Sequence, residues 1–337
     1  MKPFHDNHFN SIQALRGIAA LFVILEHVRF LNCGAFGVDI FFCISGFMIM
    51  FSTHKSSEGF LMKRAIRILP LYYLMTVGTF LLLLIFPTMF EQTRANPIFL
   101  IKSLLFIPFD IGNGVLQPLM RIGWTVNCEI FFYILFFISL RISHKYRGLI
   151  CSALLMVIVG LSRLLPIDFA PLTFYGEPVM LEFAMGILCY YIGRRLYSLR
   201  QDKKLPRSLP FIAGFLACLM LVVLPVSKPY INVLGFYRLL LWGLPAMVIV
   251  LCFFIVGLYM EMPRPLVQLG NMSFSLYLIH YYPLLLLDRA VFDFSVCTPF
   301  TVFGVFASLL ICCALAYLCW YLIEKRFTEW LRKIIQP

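Results

Sequence analysis

The chain has 337 residues, of which 61% are hydrophobic and only 13% charged, with a formal net charge of +12. A soluble globular enzyme of this length needs a far more polar surface, so the composition excludes that class and indicates a polytopic membrane protein. The excess Lys and Arg lie in the gaps between apolar runs, where such charges set membrane orientation and contact anionic lipids; nucleic acid is not an expected partner.

The N-terminus, MKPFHDNHFN, is polar, and the apolar run after it has no small-residue exit of signal-peptide type, so a retained first helix is expected. Ten runs are long enough to span a bilayer, near residues 11–31, 36–53, 68–88, 123–141, 148–165, 178–194, 209–225, 238–259, 266–287 and 300–323. Pro87, Pro97, Pro166, Pro225 and Pro263 punctuate the gaps. Asn96–Pro108 is apolar but about thirteen residues long, which suits an interfacial or re-entrant segment. With ten spans and an internal N-terminus, nineteen Lys and Arg fall on the cytoplasmic side and eight outside; letting 96–108 cross would move fourteen of them out. The positive-inside rule rejects that arrangement. The expected architecture is therefore all-α, about ten transmembrane helices with both termini cytoplasmic, forming one domain over 1–337 without an appended soluble domain. No internal repeat is visible, which weighs against the alternative reading as a transporter or flippase for a glycan or lipid intermediate. The eleven Cys show neither C-x-x-C nor zinc spacing, so no metal site is expected; Cys33 and Cys297 fall in predicted external loops.

Ionisable groups at membrane depth are costly and therefore informative. Arg16 and His27 are eleven residues apart in the first run. On a helix that spacing returns to within about 20° of one face, roughly 16 Å higher. Asp39 opens the second run in GVDIFFCISGF, where it could orient the imidazole or cap the helix. Arg64 and Arg67 share a face at i and i+3 entering the third helix; paired guanidiniums at a membrane boundary suit phosphate oxygens, with a topology role as the alternative. In WTVNCEIFFY, Trp124 reads as an interface anchor, while Glu129 could orient an acceptor hydroxyl or pair with an Arg. Glu182 is a weaker case of the same kind. Ser273, Ser275, Tyr277 and His280 form a polar stripe on the ninth helix, with His280 read as a hydrogen-bond hub or a second functional histidine.

Taken together, R-x10-H (Arg16 to His27), GVDIFFCISGF, R-x-x-R (Arg64, Arg67), WTVNCEIFFY and SFSLYLIH resemble the membrane-bound acyltransferase 3 family, over about residues 11–325. The resemblance implies an enzyme of a bacterial inner membrane that moves an acyl group, usually acetyl, from cytoplasmic acyl-CoA to a hydroxyl of an extracytoplasmic sugar, lipid-linked glycan or polysaccharide. Acetyl-CoA is then a donor substrate and no cofactor is tightly bound. The family's essential histidine falls on His27, and its arginines on Arg16, Arg64 and Arg67. Where the family often has an aromatic after that histidine, this chain has Val28. The resulting expectation is donor phosphates at Arg64 and Arg67, steadied by Arg16, and His27 as base with Asp39 or Glu129 assisting. Some relatives carry an extra hydrolase-like domain, so a partner acyl-transfer or polysaccharide-assembly protein is a further expectation.

Overall fold

The computed structural model describes residues 9–87, 95–112, 114–165, 168–228 and 235–335. In chain order, α1 (Phe9–Glu26), α2 (Gly37–Ser52) and α3 (Phe60–Ile85) precede a short α4 (Pro97–Leu104). An antiparallel hairpin follows, β1 (Phe109–Asp110) with β2 (Leu116–Gln117), in which Phe109 lies opposite Gln117. Then come α5 (Trp124–Ile142), α6 (Arg147–Leu164), α7 (Ala170–Tyr175), α8 (Leu181–Gln201) and α9 (Leu209–Ser227). Next, α10 (Phe236–Arg238) passes through a π-helical turn, Leu239–Gly243, into α11 (Leu244–Tyr259). The chain continues through α12 (Arg264–Asn271), α13 (Ser273–Ile279), α14 (Tyr281–Leu287), α15 (Pro299–Cys319) and α16 (Thr328–Ile335).

Among the described residues, six helical segments are long and apolar enough to cross a membrane: Phe60–Ile85, Arg121–Ile142, Arg147–Leu164, Leu209–Ser227, Phe236–Tyr259 and Pro299–Ile334. Helices also occupy the other four expected spans, but α2 has only 16 residues and the ninth span is divided into α12, α13 and α14. The protein is thus a multi-pass, helical membrane protein, with six spans supported by length and apolarity. Thr88, the last residue of the expected third span, lies outside the described residues, as does the polar start of the chain.

Two helix boundaries differ from expectation for identifiable reasons. The first helix stops at Glu26 instead of Leu31, because the Glu26 carboxylate accepts the backbone N–H groups of Gly34 (2.9 Å) and Ala35 (3.0 Å) and pairs with Lys228. Gly34 lies so close to the Phe22 carbonyl that a Cβ would not fit, and the chain reverses there. The third helix begins at Phe60, after Gly59 in the left-handed region (φ 60°), and runs through Pro70. Arg64 and Arg67 are therefore inside it.

The chain forms two compact units, Met1–Ser57 with Leu181–Tyr317, and Glu58–Met180 with Leu318–Pro337. In the first unit, α2 and α8 cross with backbones in contact at Gly46 and Gly186. A Cβ on Gly46 would strike the Phe183 carbonyl, and one on Gly186 the Cys43 carbonyl. Small residues allow this approach where lipid offers no hydrophobic drive for helix association. Gly17 and Gly270 bring α1 and α12 together in the same way. An apolar cluster that includes Ala20, Ile24, Val28, Leu276, Leu284 and Cys312 seats α13, α14 and α15 against α1.

The second unit is organised around Tyr72 on α3. Its hydroxyl donates to the Ser103 carbonyl (3.0 Å), and Ser103 Oγ accepts the Leu119 N–H (2.8 Å). These bonds hold α4 and the strand that follows. Phe106, at φ 57°, stacks on Tyr72 with ring centroids 4.9 Å apart, and its carbonyl accepts the Tyr175 hydroxyl at 2.6 Å. With eight residues, α4 is about 12 Å long, too short to cross a bilayer, so segment 96–108 folds back.

Gly46→Leu should lower stability by about 1–3 kcal/mol through overpacking. Gly78→Ala, where a Cβ would meet nothing within 4 Å, should leave it unchanged or raise it slightly. Thermal unfolding of the detergent-solubilised protein separates the two.

Candidate active site

His27 sits one residue past α1, in a turn tightened by His27 N–H to Ile24 O (3.0 Å) and Val28 N–H to Leu25 O (3.3 Å). Its Nδ1 lies 2.8 Å from the Val23 carbonyl and 3.2 Å from Nε2 of His280. The two imidazoles meet edge-on with centroids 4.8 Å apart, and the Tyr281 ring stands 5.9 Å from that of His27. His280 is fully buried between α13 and α14, with Nδ1 against the carbonyls of Tyr277 (2.7 Å) and Leu276 (3.2 Å). Tyr277 and Ser273, on the same stripe, are buried; the Tyr277 ring lies 5.9 Å from that of His280.

The turn that carries His27 is clamped from the far end of the α14 segment. Arg29 bonds Asp288 (2.9 Å) and Asp293 (2.7 Å), and the Phe30 N–H bonds the Phe294 carbonyl (2.9 Å). Ser295, and then Arg29, hold the Asp293 carboxyl below its ordinary range, so this ion pair persists at neutral pH.

Asp39 meets a partner that its local sequence does not reveal. Both of its oxygens accept from Arg238, Nε at 3.0 Å and Nη2 at 2.9 Å, in a pair that buries the carboxylate completely. Glu182, also fully buried, lies within the electrostatic field of Asp39 and Arg238. Gly243, in the π-helical turn, makes room for it: a Cβ there would come 3.0 Å from Glu182 Oε1. Two carboxyl groups lie in one water-poor site, and the guanidinium bonds Asp39 bidentately.

Arg16 donates to Gln13 Oε1 (3.3 Å) on its own helix, and Gln13 in turn donates to Asn271 Oδ1 (3.3 Å) beside the Gly17–Gly270 contact. In the second unit the Arg64 guanidinium lies over the rings of Tyr133 (5.4 Å) and Phe60 (6.0 Å). The Tyr133 hydroxyl donates to Glu129, and the charges of both Arg64 and Arg67 act on it. Glu129 thus bonds the tyrosine over which Arg64 lies. Trp124 opens α5, half-buried. Asn127, one turn on, is fully buried, with Oδ1 3.4 Å from the Tyr72 hydroxyl.

The acyltransferase domain family matches residues 9–317, nearly the whole described chain. The chain belongs to this family. Among its relatives, the exopolysaccharide production protein ExoZ of Rhizobium meliloti is 34% identical over 46% of this chain and 50% of its own length. The putative peptidoglycan O-acetyltransferase YrhL of Bacillus subtilis is 24% identical over 96% of the chain and 55% of its own length. The O-acetyltransferase OatA of Staphylococcus aureus is 25% identical over 83% and 51%. The chain thus spans about half the length of the curated relatives it matches. No solved structure matches it.

In this acyltransferase-family chain, sequence reasoning did not pair His27 with His280 or Asp39 with Arg238. Those partners lie 253 and 199 positions apart, beyond any local spacing rule. Tyr133 was not singled out either, although a signal existed: it stands four residues after Glu129 on one helix face. Arg238→Leu should cost about 3–5 kcal/mol by stranding Asp39, while Asp39→Leu with Arg238→Leu should cost less than the single change. A double-mutant cycle on thermal unfolding reads this directly.

Proposed function

We propose that the protein is a membrane-bound O-acyltransferase that moves an acyl group, acetyl by analogy with its relatives' names, from acyl-CoA to a hydroxyl of a surface sugar polymer. The observation that carries the reading is the His27 imidazole, held through Nδ1 against a carbonyl and a second imidazole in a chain of this family. In this reading His27 is the general base. The acceptor oxygen forms a bond to the acyl carbon and the carbon–sulfur bond breaks. The hydroxyl proton passes to His27 and then to the departing thiolate, so that CoA leaves as a thiol. Acyl transfer is thereby proton-neutral overall and needs no redox partner.

Arg64 and Arg67 are assigned to the phosphates of acyl-CoA, where guanidiniums act bidentately, and Glu129 with Tyr133 orders those arginines. The family resemblance alone also assigns Arg16 to acyl-CoA. Asp39 supports the fold through Arg238 and does not act on substrate. Ser273 and Tyr277 line the buried stripe behind the histidine pair. Extending the family resemblance, the donor is cytoplasmic, the acceptor extracytoplasmic and the membrane the bacterial inner membrane. Extending the same resemblance, a partner acyl-transfer or polysaccharide-assembly protein is part of this reading.

In membranes supplied with acetyl-CoA, His27→Ala should abolish CoA release and acetylation of the surface polysaccharide, both read by mass spectrometry. Undiminished acetylation would refute the assignment. Arg64→Ala with Arg67→Ala should raise KM for acetyl-CoA by about tenfold or more, as expected for lost charge-assisted bonds of about 1.5–3 kcal/mol each. An unchanged KM would remove the arginines from the donor site.

A further inference from the structure

Within the reading of His27 as base, we propose that His280 is its positioning residue: a buried neutral imidazole that fixes the plane of the His27 ring and supports its protonated form. Hydrogen-bond chemistry at four contacts carries this. Nδ1 of His280 faces two backbone carbonyls, Tyr277 at 2.7 Å and Leu276 at 3.2 Å. A carbonyl only accepts, so that nitrogen bears the hydrogen and Nε2 of the neutral ring is an acceptor. The 3.2 Å contact between His280 Nε2 and His27 Nδ1 is then a bond that His27 donates. The 2.8 Å approach of the same Nδ1 to the Val23 carbonyl requires the hydrogen there as well. Both contacts place the proton on Nδ1 of His27, which makes Nε2 the basic nitrogen.

The Val23 carbonyl belongs to the helix that carries His27, so it holds the proton but leaves the ring free to swing about the bond. His280 comes from another part of the chain, is fully buried and meets the ring edge-on, so it fixes the plane. When His27 takes up a proton at Nε2, the Nδ1–H bond to His280 becomes charge-assisted and strengthens as charge develops. This is the service a carboxylate gives histidine in a hydrolase triad, supplied here by a neutral acceptor. The surroundings of the pair suit that role: the Tyr281 ring flanks His27, the Tyr277 ring flanks His280, and Cys312 Sγ sits 3.8 Å from the His280 carbonyl. Arg29, the nearest cation along the chain, is engaged by Asp288 and Asp293.

The test compares His280→Leu, His280→Gln and His27→Ala as full-length proteins in membranes, with acetyl-CoA as the probe and CoA release as the readout. Thermal unfolding reports folding. Leu removes the acceptor. Gln restores an acceptor near the Nε2 position and a donor for the Tyr277 carbonyl. His280→Leu should lower kcat about 10–100-fold with KM for acetyl-CoA within about twofold of wild type, the size expected for a general base deprived of its support. His280→Gln should recover most of that loss. A wild-type kcat in His280→Leu, or equal loss in the Leu and Gln variants when both are folded, would overturn the inference. If His27→Ala also turned over normally, the base assignment itself would fall; if His27→Ala were inactive, only the role of His280 would.

Discussion

A bilayer cannot solvate an unpaired charge or a bare hydrogen-bonding group, and several ionisable side chains in the described helices answer to that constraint. Asp39 is buried and takes both of its bonds from Arg238. Glu26 collects two backbone N–H groups and Lys228. Glu129 accepts from Tyr133 beside Arg64. His27 meets His280. Most of these pairings join elements far apart in sequence or shape a helix end, so polar contacts help to determine which apolar helices pack together.

The constraint also separates structural groups from chemical ones. A carboxylate whose two oxygens are both spent on one guanidinium has little left for catalysis, and Asp39 is in that position. An imidazole is different, because holding Nδ1 defines the chemistry of Nε2. The same helix-one region therefore carries two kinds of polar residue: Glu26, which ends the helix and ties down the following turn, and His27, which that turn presents. Small residues at Gly17, Gly34 and Gly270 allow the backbones to come close enough for the turn to be rigid.

Much of this was legible in the sequence, and what was not has a physical cause. Hydropathy located helices in all ten expected regions, because apolar length is a one-dimensional property. The i, i+3 placement of Arg64 and Arg67 and the i, i+4 placement of Glu129 and Tyr133 follow from helix geometry alone. Family resemblance, carried by R-x10-H and its companion motifs, agrees with the family match over residues 9–317. Helix ends were misjudged where a distant partner caps them: α1 stops at Glu26 because Gly34 and Lys228 claim its carboxylate. Asp39 looked like a triad carboxylate because nothing local reveals an arginine 199 positions later. The polar stripe Ser273–His280 was visible, but its target was not, since a pairing across 253 positions is a property of packing.

The central claim is that packing sets the protonation geometry of His27, and nitrogen NMR of the imidazole tests it most directly. In protein labelled with 15N at histidine, the His27 signals would be assigned by their loss in His27→Gln. At a pH where the ring is neutral, the account predicts a proton on Nδ1 and a bare Nε2. A neutral ring protonated at Nε2 would contradict it.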